Sequence, residues 1–425
     1  MLAAFSVRNL YLQRRRYALI LAAISLGFAL VVLMSSVSRS MQDALKDKAS
    51  LYFAGHVSVV GYRGAAVGIS DPGRIIAAVR SAGIAPRGIS GRSVYYHTDA
   101  ELFFGGESVR QRRMIGVDFG AEGGEFSRLS YASGGWEEMG GGGGILISES
   151  AARTTGARVG DDVTVFATTD AGQYTAMVFV VRGIFQESSL FGYVSYLSLA
   201  DMNSLLGKNA GYNSEVAVFL KNPGRETAAA NAIRRRLAGE FRVFPPYESK
   251  DELYAHLGES ADNETIAVMG LQGYIAQIRQ LLQAILAVTY FVLAVFILIV
   301  AVAIMNTYRV IVNERTREIG TMRALGMQQR AVAYLFVVEA VTLVAAGSAI
   351  GFAAGSGLMG IVSALDLGGL PGAGLFLEAR RLRYVVDQRA ALANFGVMLL
   401  VALLAVSGPV RRASRIAPSE ALREE

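Results

Sequence analysis

Three histidines, His56, His97 and His256, are the residues of this chain best suited by type to hold a metal or move a proton. They are spaced too widely to share a helix face or a hairpin, so ordinary surface or core positions are the simpler reading. The chain has no cysteine, which excludes disulfides, thiolate metal ligands and cysteine nucleophiles. A P-loop needs glycines whose amides cradle phosphates, followed by Lys and then Ser or Thr. The nearest approach, Gly207-Lys208-Asn209, lacks both the hydroxyl and the upstream glycine. ATP hydrolysis by this chain is therefore not expected. Neither His-Glu-x-x-His nor Gly-x-Ser-x-Gly occurs. No catalytic residue, no metal site and no directly bound cofactor follow from the sequence.

What remains is a charged segment between two apolar runs. Over 313–327 it reads Asn313-Glu314-Arg315-Thr316-Arg317-Glu318-Ile319-Gly320-Thr321-Met322-Arg323-Ala324-Leu325-Gly326-Met327. Asn313 can cap a short helix and Glu314 suits the positive end of its dipole. Ile319, Met322 and Leu325 recur at three-residue spacing and offer an apolar stripe, and Gly326 can stop the helix. Two readings stand side by side: an interfacial connector, or a docking helix for a soluble partner whose register is set by Arg315, Arg317, Glu318 and Arg323. Within the apolar run that follows, Glu339 is expensive in lipid and should face protein, with structural pairing preferred over a proton relay. Gly347, Gly351 and Gly355 fall at four-residue intervals that let helices approach closely, within one subunit or across a dimer.

Across the whole chain, 425 residues with 52% apolar and 18% charged side chains and a mean hydropathy of +0.38 are too apolar for a soluble protein and too charged for membrane throughout. A net charge of +6 and a pI near 9.4 would suit nucleic acid, but the basic residues flank apolar runs, and no nucleic acid partner is expected. About 20 apolar residues cross the hydrocarbon core. Residues 17–37, 281–305, 331–364 and 390–410 qualify, and only the third carries a charge, Glu339. A secretory signal is the alternative for 17–37, but its apolar run exceeds the roughly 7–15 residues of such a signal. Residues 1–16 read as an interfacial elbow, and Arg8, Arg14, Arg15 and Arg16 place the N-terminus in the cytoplasm. Four crossings then put 38–280 and 365–389 outside and the loop 306–330 and tail 411–425 inside. The loop 365–389 fits this poorly, with Arg380, Arg381, Arg383 and Arg389 on the outer side.

The large segment 38–280 reads as mixed α and β. Strands are expected at 56–60, 93–96, 163–166 and 176–181, and helices at 73–82, opened by Asp71-Pro72, and at 226–237. The glycine run 140–144 reads as a hinge or loop, with a seam between two lobes placed near it. From about residue 261 the pattern reads as one helix continuing into the second span.

The run Glu314-Arg315-Thr316-Arg317-Glu318-Ile319-Gly320, followed by the long third span, resembles the coupling-helix region of the FtsX-like, MacB-type ABC transporter permease superfamily, which includes the lipoprotein-releasing LolC and LolE permeases. The tail Ala417-Pro418-Ser419-Glu420-Ala421-Leu422-Arg423 is similar to the C-termini of that superfamily. The stretch 144–166, with Ile147-Ser148 and Val159-Gly160-Asp161, resembles its MacB-type periplasmic core. The resemblance implies an integral membrane α-helical protein with four spans and a large mixed α/β extracytoplasmic domain, in the bacterial inner membrane. It implies a permease subunit, not itself an enzyme, paired with a second permease, identical or paralogous. Two copies of a separate ABC ATPase, which binds ATP and Mg, would complete it. Asn313, Glu314, Arg315, Arg317, Glu318, Ile319, Met322, Arg323, Leu325 and Gly326 would then be the coupling residues. Cargo would be a released lipoprotein or an exported peptide or lipophilic compound, with a periplasmic adaptor among the candidate partners. The chain departs from MacB in carrying no nucleotide-binding half. A non-transporting FtsX-like transducer that activates a cell-wall hydrolase is the alternative, although its outer domain is usually smaller. A sensor or membrane enzyme finds no kinase, cyclase or hydrolase motif in support.

Overall fold

The computed structural model describes residues 14–97, 99–186, 192–260, 263–368, 370, 373–378 and 380–415. Of the expected elbow 1–16, residues 1–13 lie outside these residues and 14–16 already belong to the first span helix; the tail motif 417–423 also lies outside them. Among the described residues, four helices are long and apolar enough to cross a membrane. They are span 1 (Arg14–Tyr52), span 2 (Ala276–Glu314), span 3 (Gln329–Ala364) and span 4 (Gln388–Arg415). The chain divides into two compact units. A span unit comprises the described parts of Met1–Met41, Gln283–Leu365 and Leu382–Glu425, and a sheet unit comprises those of Gln42–Leu282 and Asp366–Arg381.

The span unit is held by apolar side chains that each helix turns inward: Ile20, Ile24, Phe28 and Val32 from span 1, Ile304, Tyr308 and Ile311 from span 2, Val332, Phe336 and Leu343 from span 3, and Met398, Ala402 and Val406 from span 4. Their three- and four-residue spacing is the helical repeat.

The sheet unit contains strands β1 (Val57–Arg63), β2 (Ala66–Val67), β3 (Pro86–Tyr95), β4 (Glu101–Phe104), β5 (Glu107–Arg110), β6 (Arg113–Val117) and β7 (Tyr131–Gly134). These are followed by β8 (Gly144–Ser148), β9 (Asp162–Thr168), β10 (Tyr174–Phe185), β11 (Val194–Ser198), β12 (Glu215–Leu220) and β13 (Thr265–Gly270). They form one mixed sheet in the order β13-β1-β12-β3-β6-β11-β8-β10-β9-β4-β5, with β2 beside β1 and β7 beside β10. The pairs β6/β11 and β8/β10 are parallel. Helices Pro72–Arg80 and Glu226–Leu237 cover the β1/β12/β13 end, where Ile75, Val79, Ile233 and Leu237 pack on Val57, Val59, Val218 and Ile266. Asp71 caps the first of these, accepting the Arg74 N–H at 3.0 Å, with Pro72 at its first position. The four expected strands and two expected helices all correspond to elements of this unit.

Two expectations are corrected. Residues 265–270 are strand, not the start of a helix: β13 runs antiparallel to β1 from Val57 opposite Gly270 to Tyr62 opposite Thr265. Both faces of Thr265-Ile266-Ala267-Val268-Met269 are buried, so the apolar residues do not alternate and the run mimics a helix face. The helix leading into span 2 begins at Ala276. The glycine run marks no seam either, because β8 lies inside the sheet between β11 and β10. Gly142 and Gly143, at φ 74° and 66°, form an ordered turn, and the Gly143 N–H donates to the Asp201 carboxylate at 2.9 Å.

The loop 365–389, which fitted the charge rule poorly, contributes Asp366–Arg381 to the sheet unit. Lys48 donates to the Gly374 carbonyl, and Phe376 packs against the cluster of Leu45, Leu51 and Leu271. Within it, Arg380 lies 3.1 Å from Asp366.

Candidate functional site

The loop between spans 2 and 3 is a single short helix, Thr316–Ala324. The break from span 2 falls at Arg315, and no side chain caps the new helix. Asn313, expected as the cap, is still inside span 2. Thr316 instead closes the end of span 2, its hydroxyl donating to the Val312 and Asn313 carbonyls at 3.1 and 2.8 Å. Gly326 does stop the helix: at φ 95° it adopts the left-handed conformation, and Met327 N–H then reaches back to Met322 O at 3.1 Å.

The short helix has two distinct faces. Ile319 is fully buried in the span core, Gly320 is buried beside it, and Met322 packs against the same cluster. Asn313, Glu314, Arg317, Glu318 and Gly326 are exposed, Arg323 is half-buried, and Leu325 is 89% exposed. The expected stripe of Ile319, Met322 and Leu325 is thereby split, with the first two facing the spans and the third facing away.

Arg315 also turns inward. Its side chain is 7% exposed, and its Nη1 stands 3.6 Å from Oε2 of Glu339, which is wholly buried. Its Nε is 3.9 Å from Glu318 Oε2. The Tyr17 hydroxyl of span 1 donates to the other oxygen of Glu339. One carboxylate thus faces both the coupling segment and span 1. Tyr17 was not singled out in the sequence; a tyrosine at the mouth of a span is common, and nothing local told which way it points.

The three spaced glycines pack within the chain, against span 1. A Cβ on Gly347 would lie 2.6 Å from Ile24 Cγ2, and one on Gly355 would lie 2.6 Å from the Ala29 carbonyl oxygen. The same close approach recurs at Gly351, next to Ser25 and Phe28.

In the sheet unit, charged groups are buried in pairs. Arg92 meets Glu122 through two hydrogen bonds, Nε to Oε1 at 2.9 Å and Nη2 to Oε2 at 2.5 Å, and donates a third to Leu51 O at 2.7 Å. Arg113 lies 3.3 Å from Glu215 and over the rings of Tyr52 and Phe53. The histidines are dispersed. His56 is buried in the sheet with its Nδ1 accepting the Leu220 N–H at 3.1 Å, His97 lies 3.9 Å from Asp170, and His256 stacks on Tyr247. No group of metal-ligating side chains occurs among the described residues.

These features define a membrane protein with a mixed sheet domain between its first two spans and a short amphipathic helix between the next two. The MacB-like periplasmic core domain matches residues 17–236 and the FtsX-like permease C-terminal domain matches residues 290–418. The first match alone covers more than half of the chain, and the chain belongs to this MacB-type, FtsX-like permease family. It is 29% identical over 132 residues to the macrolide export ATP-binding/permease protein MacB of Bdellovibrio bacteriovorus, covering 31% of this chain and 18% of that protein. It is 33% identical over 132 residues to the pyoverdine export ATP-binding/permease protein PvdT of Pseudomonas syringae pathovar tomato, with the same 31% and 18% coverage. The matches therefore span less than a fifth of the length of these curated relatives. The crystal structure of the periplasmic region of MacB from Actinobacillus actinomycetemcomitans is similar at 13% identity and a TM-score of 0.31, over 54% of this chain and 94% of that one.

Proposed function

We propose that this chain is the membrane subunit of an ABC transporter, in which an ABC ATPase on a separate polypeptide, present in two copies and using ATP and Mg, docks on the Thr316–Ala324 helix. The carrying observation is the two-faced geometry of that helix. Ile319 and Met322 bind it to the span core, while Arg317, Glu318 and Leu325 project away from it. An 89% exposed leucine between a basic residue and a helix-ending glycine has the chemistry of a contact that fills a pocket on a partner. Docking by an apolar anchor flanked by Arg317 and Glu318 supplies both affinity and register.

Span 1 and span 2 both run on into the sheet unit, span 1 as far as Tyr52 and span 2 from Ala276. Movement of the coupling helix would pass along them to the sheet domain, and that domain would act on cargo outside the membrane, by lipoprotein release or by export of a peptide or lipophilic compound. The protein sits in the bacterial inner membrane as a dimer with an identical or paralogous permease. Its termini are cytoplasmic and the sheet domain is periplasmic. The basic loop with Arg309, Arg315, Arg317, Arg323 and Arg330 supports this orientation. So does the membership of Asp366–Arg381 in the same compact unit as Gln42–Leu282, as two segments on one side of the membrane would require.

The test is affinity capture of the tagged chain from its native membranes in mild detergent, followed by mass spectrometry. Recovery of an ABC ATPase supports the reading, with lipoproteins or an adaptor distinguishing the two kinds of cargo. A cell-wall hydrolase without cargo would point to a transducer. Absence of any ATPase, in membranes whose other complexes survive, would overturn the reading.

A further inference from the structure

Arg315 stands where the chain leaves span 2, at φ −95° and ψ 10°, and is the one arginine of the coupling segment with a buried side chain among the described residues. Its guanidinium is directed at Glu339 in span 3, and Glu339 is held on its other oxygen by Tyr17 of span 1. A wholly buried carboxylate among Phe336, Ala340 and Leu343 is costly unless a cation or donor answers it. The donor comes from span 1, but the cation comes from the segment proposed to receive the ATPase.

We infer that Arg315, Glu339 and Tyr17 form the positioning joint through which the coupling helix grips spans 1 and 3, so that force applied to its outer face reaches both spans together. This rests on the docking reading above. Apolar packing at Ile319 holds the helix against the bundle but is non-directional and allows sliding. The ion pair adds an attraction to one fixed point on span 3. At 3.6 Å the Nη1–Oε2 separation exceeds that of a hydrogen bond, so the attraction changes gradually with distance and survives a small displacement. Arg315 therefore acts on the inner side of the helix, through Glu339, while Arg317 acts on the outer side. The two arginines make opposite predictions for ATPase binding.

The experiment uses the full chain with its ATPase in native membranes. Arg315→Glu and Glu339→Gln should retain ATPase capture within about twofold while permease-dependent ATP turnover falls about tenfold or more. Arg315→Lys, which keeps the charge, should lose no more than about threefold. The exchanged pair R315E/E339R should recover much of what either reversal alone removes, which general loss of packing would not do. Capture weakened by R315E as strongly as by R317E would make Arg315 a surface contact and overturn the inference. So would turnover that follows unfolding temperature through every variant without recovery in the exchanged pair.

Failure of the docking reading is separable. The chain has no native cysteine, so a spin label at Leu325→Cys reports helix mobility without any partner. Glu339→Gln should increase that mobility. An unchanged spectrum would sink the joint whether or not an ATPase is captured.

Discussion

Gly351 and Ser25 stand backbone to backbone: a Cβ on Gly351 would lie 2.6 Å from the Ser25 carbonyl oxygen and 2.8 Å from Phe28 Cβ. The neighbour is main chain, which cannot swing aside, so any side chain at 351 must push span 3 away from span 1. Gly351→Ala should destabilise the span unit by about 1–3 kcal/mol. Gly357, six residues on, meets nothing within 4 Å, and Gly357→Ala should be neutral or stabilising through helix propensity alone. Thermal unfolding of the two variants in one detergent checks the contrast, and equal effects would contradict the packing.

Arg92 and Glu122 give a second contrast, inside the sheet unit. Both side chains are buried, and removing one leaves the other charge without its partner. Arg92→Met or Glu122→Leu should cost about 3–5 kcal/mol, whereas the double replacement R92M/E122L should cost much less than the sum of the singles. The only tryptophan, Trp136, packs in the cluster formed with Phe119, Phe126 and Met139 and reports unfolding of this unit by its fluorescence.

Much of this architecture was legible because its signals are one-dimensional. Long uncharged runs mark spans, Asp71-Pro72 marks a helix start, and the alternation in 163–166 marks a strand with one fully buried face. What was missed depends on partners far along the chain. Strand β13 is apolar on both faces because the helix Glu226–Leu237 covers Ile266 and Val268 while Phe244 and Leu253 pack with Ala267 and Met269, and that coverage is invisible locally. Strand β3 begins at Pro86, well before the expected 93, because Gly88, Arg87, Gly91 and Arg92 break the apolar pattern. Gly91 is needed where the Asn213 side chain crosses the strand, and Arg92 is neutralised by Glu122. At the coupling segment the composition and the stop at Gly326 could be read. The direction of Arg315 could not, since it is fixed by Glu339, more than twenty residues away.

The neutral state of His56 makes the sheet unit sensitive to acid. Burial, with Arg87 and Arg128 adding to it, lowers its pKa from 6.5 to about 4. Its Nδ1 accepts the Leu220 N–H, so protonation there would break a buried hydrogen bond of the sheet. The folded form binds fewer protons than the unfolded form between these two values. The contribution is therefore complete above about pH 6.5, is lost as pH falls towards 4, and does not change further below it. At about 1.4 kcal/mol per pH unit, the loss amounts to at most about 3.5 kcal/mol. Denaturant titrations followed by Trp136 fluorescence should show this limb, and His56→Gln, though less stable at neutral pH, should be flatter than the parent across that window. Parallel pH profiles for the two proteins would show that His56 is not the group responsible.

The outer face of the coupling helix should tolerate substitution in the folded protein and fail in the complex. Leu325 touches little of its own chain at 89% exposure, so Leu325→Ala should leave the unfolding temperature of the permease within error of the parent. If Leu325 fills a pocket on the ATPase, the same change removes a buried anchor worth about 1–2 kcal/mol, and affinity should fall roughly tenfold. Arg317→Glu should act in the same direction, with a dependence on salt that Leu325→Ala lacks, because its contribution is electrostatic and screened. Ile319→Ala provides the opposite pattern: its side chain is fully buried in the span core, so stability should drop by about 2–5 kcal/mol before binding is considered. Measuring capture of the ATPase and unfolding temperature on the same preparations separates the faces. A variant series in which binding follows stability throughout would mean that the helix is a structural connector whose exposed side meets no partner.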